Sequence, residues 1–176
     1  IMIDIEQIRD TIPHRYPFLL VDRIVEVNEE QTRCIGIKNV TANEKILQGH
    51  LPGQAIFPGA LIVEHMAQVG CYLLMMRPEA KGKLAYFAAI DGVRFKRPAI
   101  PGDTIITTVE LVTGRRGIWR ITARSRVEGE LVCRGELTCA LVDYCGAAPG
   151  RVGRVFRDFE RAHSLGGTTS HADEES

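Results

Sequence analysis

The sequence has no excess of charge: 22 Lys and Arg are matched by 22 Asp and Glu. Nothing in it suggests a bulk nucleic-acid binder, and any basic partner site must be local. It has no CxxC pair. Its five cysteines, Cys34, Cys71, Cys133, Cys139 and Cys145, are odd in number and scattered, which argues against a disulfide framework or a zinc site. They read as small buried hydrophobes, with a reducing, cytoplasmic setting as the expectation. The first residues lack the charged-then-apolar pattern of a secretory signal. The longest apolar run, residues 58–76, is interrupted by Glu64, His65, Gln68 and Gly70, so a buried core helix is expected rather than a membrane span. There is no internal repeat. No His, Asp or Glu set has metal-ligand spacing, and no metal or cofactor is expected.

The elements that are present can be read in order. Asp4 and Gln7 form a capping box at the start of a short helix, which ends before Pro13. Residues 18–27 and 32–40 read as strands joined through Asn28-Glu29-Glu30. Gly49-His50-Leu51-Pro52-Gly53, with Pro58-Gly59 beyond, is a shaped Pro/Gly loop that opens the long helix. The second half is strand-like: residues 84–90, then 94–97, 104–112, a turn at 114–117, a strand with Trp119, Ile121, Ala123 and Val127 on one face, a turn at 128–130, and a last strand over 131–142. Long strands joined by short turns imply antiparallel pairing. A helix apolar nearly all round needs a sheet wrapped about it. The expectation is an α+β body over residues 1–145 and an extension over 146–176. In the extension Val152, Val155, Phe156 and Phe159 have amphipathic helical spacing, and residues 166–176 read as disordered.

Glu64 is the anomaly of the long helix. A buried carboxylate is costly unless it is paired or protonated, and a carboxylic acid with a raised pKa suits a general acid. Gln68, four residues on, shares its face and can hydrogen-bond it. His50, on the Pro/Gly loop, is a candidate base. Free N–H groups at the helix start near Gly59 can stabilise an oxyanion. Base, acid and oxyanion donor together suit proton abstraction beside a thioester carbonyl. His65 lies about 100° round the helix from Glu64 and reads as packing or interface. His14 reads as an ordinary loop residue.

Three blocks in order then resemble a known family. His14-Arg15-Tyr16-Pro17-Phe18-Leu19-Leu20-Val21-Asp22-Arg23 resembles the N-terminal signature of the FabZ-type 3-hydroxyacyl-acyl carrier protein dehydratases. Gly49-His50-Leu51-Pro52-Gly53 with Pro58-Gly59, Glu64 and Met66-Ala67-Gln68 resembles their catalytic motif. Tyr86-Phe87-Ala88-Ala89-Ile90-Asp91, Arg94-Phe95-Lys96-Arg97-Pro98 and Pro101-Gly102-Asp103 resemble a third block. The resemblance covers residues 5–142 and implies a hotdog fold, an antiparallel sheet wrapped round the long helix. It implies a homodimer, commonly a trimer of dimers, in which His50 of one chain faces Glu64 of its neighbour. His50 would take the α-proton, Glu64 would protonate the leaving hydroxyl, and Gly59, with Gln68, would serve oxyanion and substrate binding. The product would be a trans-2-enoyl group on acyl carrier protein, in fatty-acid or related polyketide biosynthesis, without an organic cofactor. Arg94, Lys96 and Arg97 form a candidate docking patch for the acidic carrier. Glu64, where the related dehydratase-isomerases carry Asp, favours dehydration without isomerisation. Leu51, Ala55, His65 and Ala89 depart from the family's usual residues.

Two other readings stay open on the sequence. One is a hotdog acyl thioesterase, which needs a carboxylate and a water but no His in a Gly-Pro loop. The other is a non-catalytic acyl-binding subunit, against which the intact His50 and Glu64 stand.

Overall fold

The computed structural model describes residues 2–143. The expected amphipathic helix after Gly150, and Cys145, lie outside them. The elements are α1 (Ile5–Thr11), β1 (Arg23–Val27), β2 (Arg33–Asn39), α2 (Gly59–Met75), β3 (Lys83–Phe95), β4 (Thr104–Arg115), β5 (Ile118–Val127) and β6 (Glu130–Asp143), with short 3-10 turns before and after α2. The capping box is present at α1, where the Asp4 side chain accepts from Gln7 N–H and the Gln7 side chain accepts from Asp4 N–H.

The six strands form one antiparallel sheet in the order β1-β2-β4-β5-β6-β3. The hairpin turns are local in origin. Arg116 and Gly117 at one, and Glu128 and Gly129 at the other, take the positive φ that a tight two-residue turn requires. Helix α2 lies against β2, β4, β5, β6 and β3. Its Ile62, Met66, Val69 and Leu73 meet Ile24, Cys34, Ile105, Val109, Ile121 and Leu137 of the sheet in one buried cluster. Two glycines allow the close approach. A side chain on Gly70 would overlap Ile121, and one on Gly36 would lie 2.5 Å from Val69 Cγ2. On β5 the expected alternation holds, with Trp119, Ile121, Ala123 and Val127 buried and Arg120, Arg124 and Arg126 exposed.

Two strand expectations change. The strand expected over 18–27 is only Arg23–Val27, because the backbone at Phe18 and Leu20 is bonded to the Gln68 side chain instead of a neighbouring strand. The segments 84–90 and 94–97 fuse into one thirteen-residue β3, Lys83–Phe95. Its pairing with β6 absorbs irregularities between Phe87 and Ala89 and between Asp91 and Arg94. Gly92 at the second has φ 58°, a conformation that glycine adopts without strain.

Candidate active site

Glu64 sits on α2 at the rim of a cavity of about 300 Å³, lined by His14, Phe18, Glu64, Ala67, Cys71, Ala85, Tyr86, Phe87 and Cys139. Ala67 and Cys71 follow Glu64 at helical spacing, so the cavity runs from the carboxyl along one face of α2. Its walls are apolar apart from His14, Glu64, Tyr86 and the thiols. Burial pushes the Cys71 and Cys139 thiols up to about 12, so they line it as neutral groups. Burial also raises the pKa of Glu64, and the Gln68 hydrogen bond opposes that in part. The expected Glu64–Gln68 contact is present, with Gln68 Nε2 donating to Glu64 Oε1 at 2.8 Å.

Gln68 itself is fully buried. Its Oε1 accepts from Leu20 N–H at 2.8 Å and its Nε2 also donates to the Phe18 carbonyl at 2.7 Å. Both amide hydrogens are used. The sequence reading places Gln68 among the substrate-binding groups; in this conformation its contacts are instead with Glu64 and the 18–20 backbone.

His50 is fixed by its own loop. Its Nδ1 lies 2.9 Å from the Ile56 carbonyl, and Ile56 N–H returns a bond to the His50 carbonyl at 3.2 Å. A carbonyl only accepts, so the hydrogen sits on Nδ1. In the neutral ring Nε2 then carries the lone pair that a general base needs. Phe57 N–H bonds the Ala99 carbonyl at 2.8 Å, tying this loop to the segment before β4.

Gly59 opens α2 behind Pro58, which supplies no side-chain cap. Among the described residues no acceptor meets the Gly59 N–H, as expected for the first turn of a helix. It borders a second cavity of about 350 Å³ with Ile56, Phe57, Ile62, Phe95, Lys96, Arg97 and Pro98. A side chain at Gly59 would lie 2.8 Å from the Phe95 ring, so glycine keeps this approach open.

Within one chain the structure does not bring His50 to Glu64. The cavity that Glu64 lines does not include His50, and no hydrogen bond or ion pair joins them. It does bring His14 to Glu64, with Nε2 3.7 Å from Oε1. The sequence reading misses this. The only signal for it is that His14 opens one of the recognised blocks; nothing local says that this loop reaches α2. Of the basic patch, Arg94 and Lys96 are exposed. Arg97 is engaged by Glu130 at 2.9 Å and Asp103 at 3.4 Å, so its charge is offset within the chain. Among the described residues no His, Cys, Asp and Glu cluster could hold a metal ion. No helix there is long and apolar enough to cross a membrane.

A six-stranded antiparallel sheet packed on one apolar helix, with a histidine on the loop ahead of the helix and a carboxyl inside it, is the hotdog architecture. Residues 12–136 match the model of the FabA-like domain. A protein of Thermomicrobium roseum described as 3-hydroxyacyl-acyl-carrier-protein dehydratase FabZ is 52% identical over 142 residues, covering 81% of this chain and 95% of that protein. One of Bacillus cereus with the same description is 51% identical over 142 residues, covering 81% and 98%. Among solved structures, the dehydratase heterocomplex ApeI:P of Xenorhabdus doucetiae superposes with TM-score 0.67 at 14% identity, over 84% of this chain and 95% of that one. At that identity the likeness speaks to fold alone. The chain therefore belongs to the FabZ family of 3-hydroxyacyl-acyl carrier protein dehydratases.

Proposed function

We propose that the protein converts (3R)-3-hydroxyacyl groups on acyl carrier protein to trans-2-enoyl groups at a site shared by two chains, with His50 from one and Glu64 from the other. The observation that carries this reading is the pairing of states. The Ile56 carbonyl takes the Nδ1 hydrogen of His50, so that in the neutral ring Nε2 is free to accept a proton, and burial shifts Glu64 toward its acid form. A base and an acid of matched roles, with no hydrogen bond or ion pair between them in one chain, fit a site completed by a second copy.

In the reaction His50 Nε2 takes the proton from C2. The C2–H electron pair becomes the C2=C3 double bond. The C3–O bond breaks with its pair on oxygen, and the Glu64 proton joins it to release water. The Gly59 N–H, at the positive end of α2, stabilises the thioester oxygen as it gains charge.

The dimer reading has support in the sheet. Strand β3 is an edge strand, Ile90 and Phe95 on it are exposed, and most of its other residues are only half-buried. An apolar edge of thirteen residues calls for a partner. Arg94 and Lys96, both exposed, are the cations best placed to meet an acidic carrier; Arg97 is already paired.

The test is hydration of a 2-enoyl thioester by purified protein, followed as loss of enoyl absorbance. His50→Ala and Glu64→Gln are each expected to lose about 10²–10⁴-fold in rate. Full activity in both variants would overturn the assignment. Release of free thiol without hydration would favour a thioesterase, and retention of acyl ligand with neither activity would favour a binding subunit.

A further inference from the structure

We infer that His14 is a positioning residue for this reaction: with the Gln68 amide it holds Oε1 of Glu64, so that Oε2 presents the proton to the leaving hydroxyl. The inference rests on the reading of Glu64 as the acid.

The placement is specific. His14 Nε2 lies 3.7 Å from Glu64 Oε1, and Gln68 Nε2 lies 2.8 Å from the same oxygen. Two nitrogen groups converge on Oε1, while among the described residues Oε2 has no polar partner. The backbone that carries His14 is also held. The Arg15 guanidinium donates to the carbonyls of Arg9, Ile12 and His14 at 2.9, 2.8 and 2.7 Å, which closes the end of α1 over the loop. Downstream, Gln68 grips the Phe18 carbonyl and the Leu20 N–H. The amide that holds Glu64 thus also holds the loop that carries His14.

The tautomer follows from burial. His14 Nδ1 is buried without a partner. A hydrogen there would be a buried donor with no acceptor, the less favourable arrangement. The hydrogen therefore sits on Nε2, facing Glu64. Burial, helped by the Arg15 charge, lowers the pKa of His14, while burial raises that of Glu64. Both shifts disfavour an ion pair between His14 and Glu64.

At 3.7 Å the contact is longer than a hydrogen bond. In the resting acid Oε1 carries little charge. As Oε2 gives up its proton, negative charge spreads onto Oε1, and an N–H donor there strengthens. An interaction that grows in the transition state raises kcat and leaves KM nearly alone.

The experiment measures kcat and KM for dehydration of a 3-hydroxyacyl thioester by the full chain, followed as gain of enoyl absorbance. The variants are His14→Ala, His14→Gln, His14→Asn, Glu64→Gln, and Glu64→Gln combined with His14→Ala. His14→Ala is expected to lose about tenfold or more in kcat with KM changed less than about threefold. Gln, whose amide N–H reaches the place of Nε2, should keep kcat within about threefold of the parent; Asn, which stops short, should behave as Ala. His14→Ala should cost nothing further in the Glu64→Gln background. An unchanged kcat in His14→Ala, beside an inactive Glu64→Gln, would overturn the role of His14 and leave that of Glu64. Equal losses in Gln and Asn would assign His14 to packing and overturn it too. That contrast decides the matter even if the Ala variant fails to fold. Full activity in Glu64→Gln would remove the reading of the acid itself.

Discussion

Gln68 and Glu64 stand one helical turn apart and are joined by a 2.8 Å hydrogen bond from Gln68 Nε2 to Glu64 Oε1. The same amide takes the Leu20 N–H and gives to the Phe18 carbonyl. One buried side chain therefore fixes both the acid and the segment that leads into β1. Replacing Gln68 by Leu keeps the volume but leaves the Phe18 carbonyl and the Leu20 N–H without partners, at about 1–3 kcal/mol for each group that stays buried. Thermal melts should show a midpoint lower by several degrees, and hydration should slow by about tenfold or more. A parental melting midpoint would remove the anchoring role.

Glu64 sets activity against stability. Its pKa in the folded chain lies above its ordinary value of 4.5, chiefly because of burial. The folded state then binds a proton that the unfolded state has already released. The stability that Glu64 contributes is complete below pH 4.5 and is lost as pH rises through the folded value. Gln has the same shape and no charge to bury. Glu64→Gln should therefore melt higher than the parent at pH 8, with the difference shrinking toward pH 4, while hydration activity is lost. Melting curves across that range check the sign, and a lower midpoint at pH 8 would contradict it.

His65 makes the opposite prediction at acid pH. It is fully buried, and neither ring nitrogen has a partner in good hydrogen-bond geometry. Burial pushes its pKa down from 6.5 to about 3; the Leu20 backbone opposes this, and the charge of Lys38 adds to it. Below pH 6.5 the unfolded chain takes up a proton that the folded chain refuses until about pH 3. Stability should fall across that window, by an amount on the order of a few kcal/mol. His65→Leu, which stays neutral and close in volume, should unfold at a lower pH than the parent. Trp119, the single tryptophan, is a built-in fluorescence probe for the titration. Coincident acid transitions in the two proteins would show that His65 does not drive the unfolding.

What the sequence shows and what it hides divide along distance. The Asp4–Gln7 box, the turns at Arg116-Gly117 and Glu128-Gly129, and the alternation of β5 are readable because each depends on residues a few positions apart. The Glu64–Gln68 bond is readable for the same reason. The late start of β1 is not, because it depends on Gln68 reaching a backbone 48 and 50 positions away. The placing of β3 beside β6, and not beside β4, is likewise a matter of tertiary pairing. His14 looks like any loop histidine until Arg15 ties its backbone to the end of α1 and Gln68 of α2 grips the backbone at Phe18 and Leu20. The proposed meeting of His50 with Glu64 is a different case. It comes from the family resemblance, and it concerns a second chain.

That meeting has a direct test. If each site takes His50 from one chain and Glu64 from its partner, a dimer of His50→Ala with Glu64→Gln holds one site with both defects and one site with neither. The two inactive proteins, unfolded together and refolded as a mixture, should then regain activity, because random pairing makes half of the dimers mixed and each mixed dimer carries one intact site of two. About a quarter of the parental hydration rate is the expected yield, against a background lower by the 10²–10⁴-fold that general acid–base groups contribute. A doubly substituted chain mixed with either single variant should regain nothing, since no pairing then restores an intact site. Recovery without refolding would be slow if the dimer exchanges slowly. If the refolded mixture were no more active than its parts while size measurements showed mixed dimers, His50 and Glu64 would have to meet within one chain.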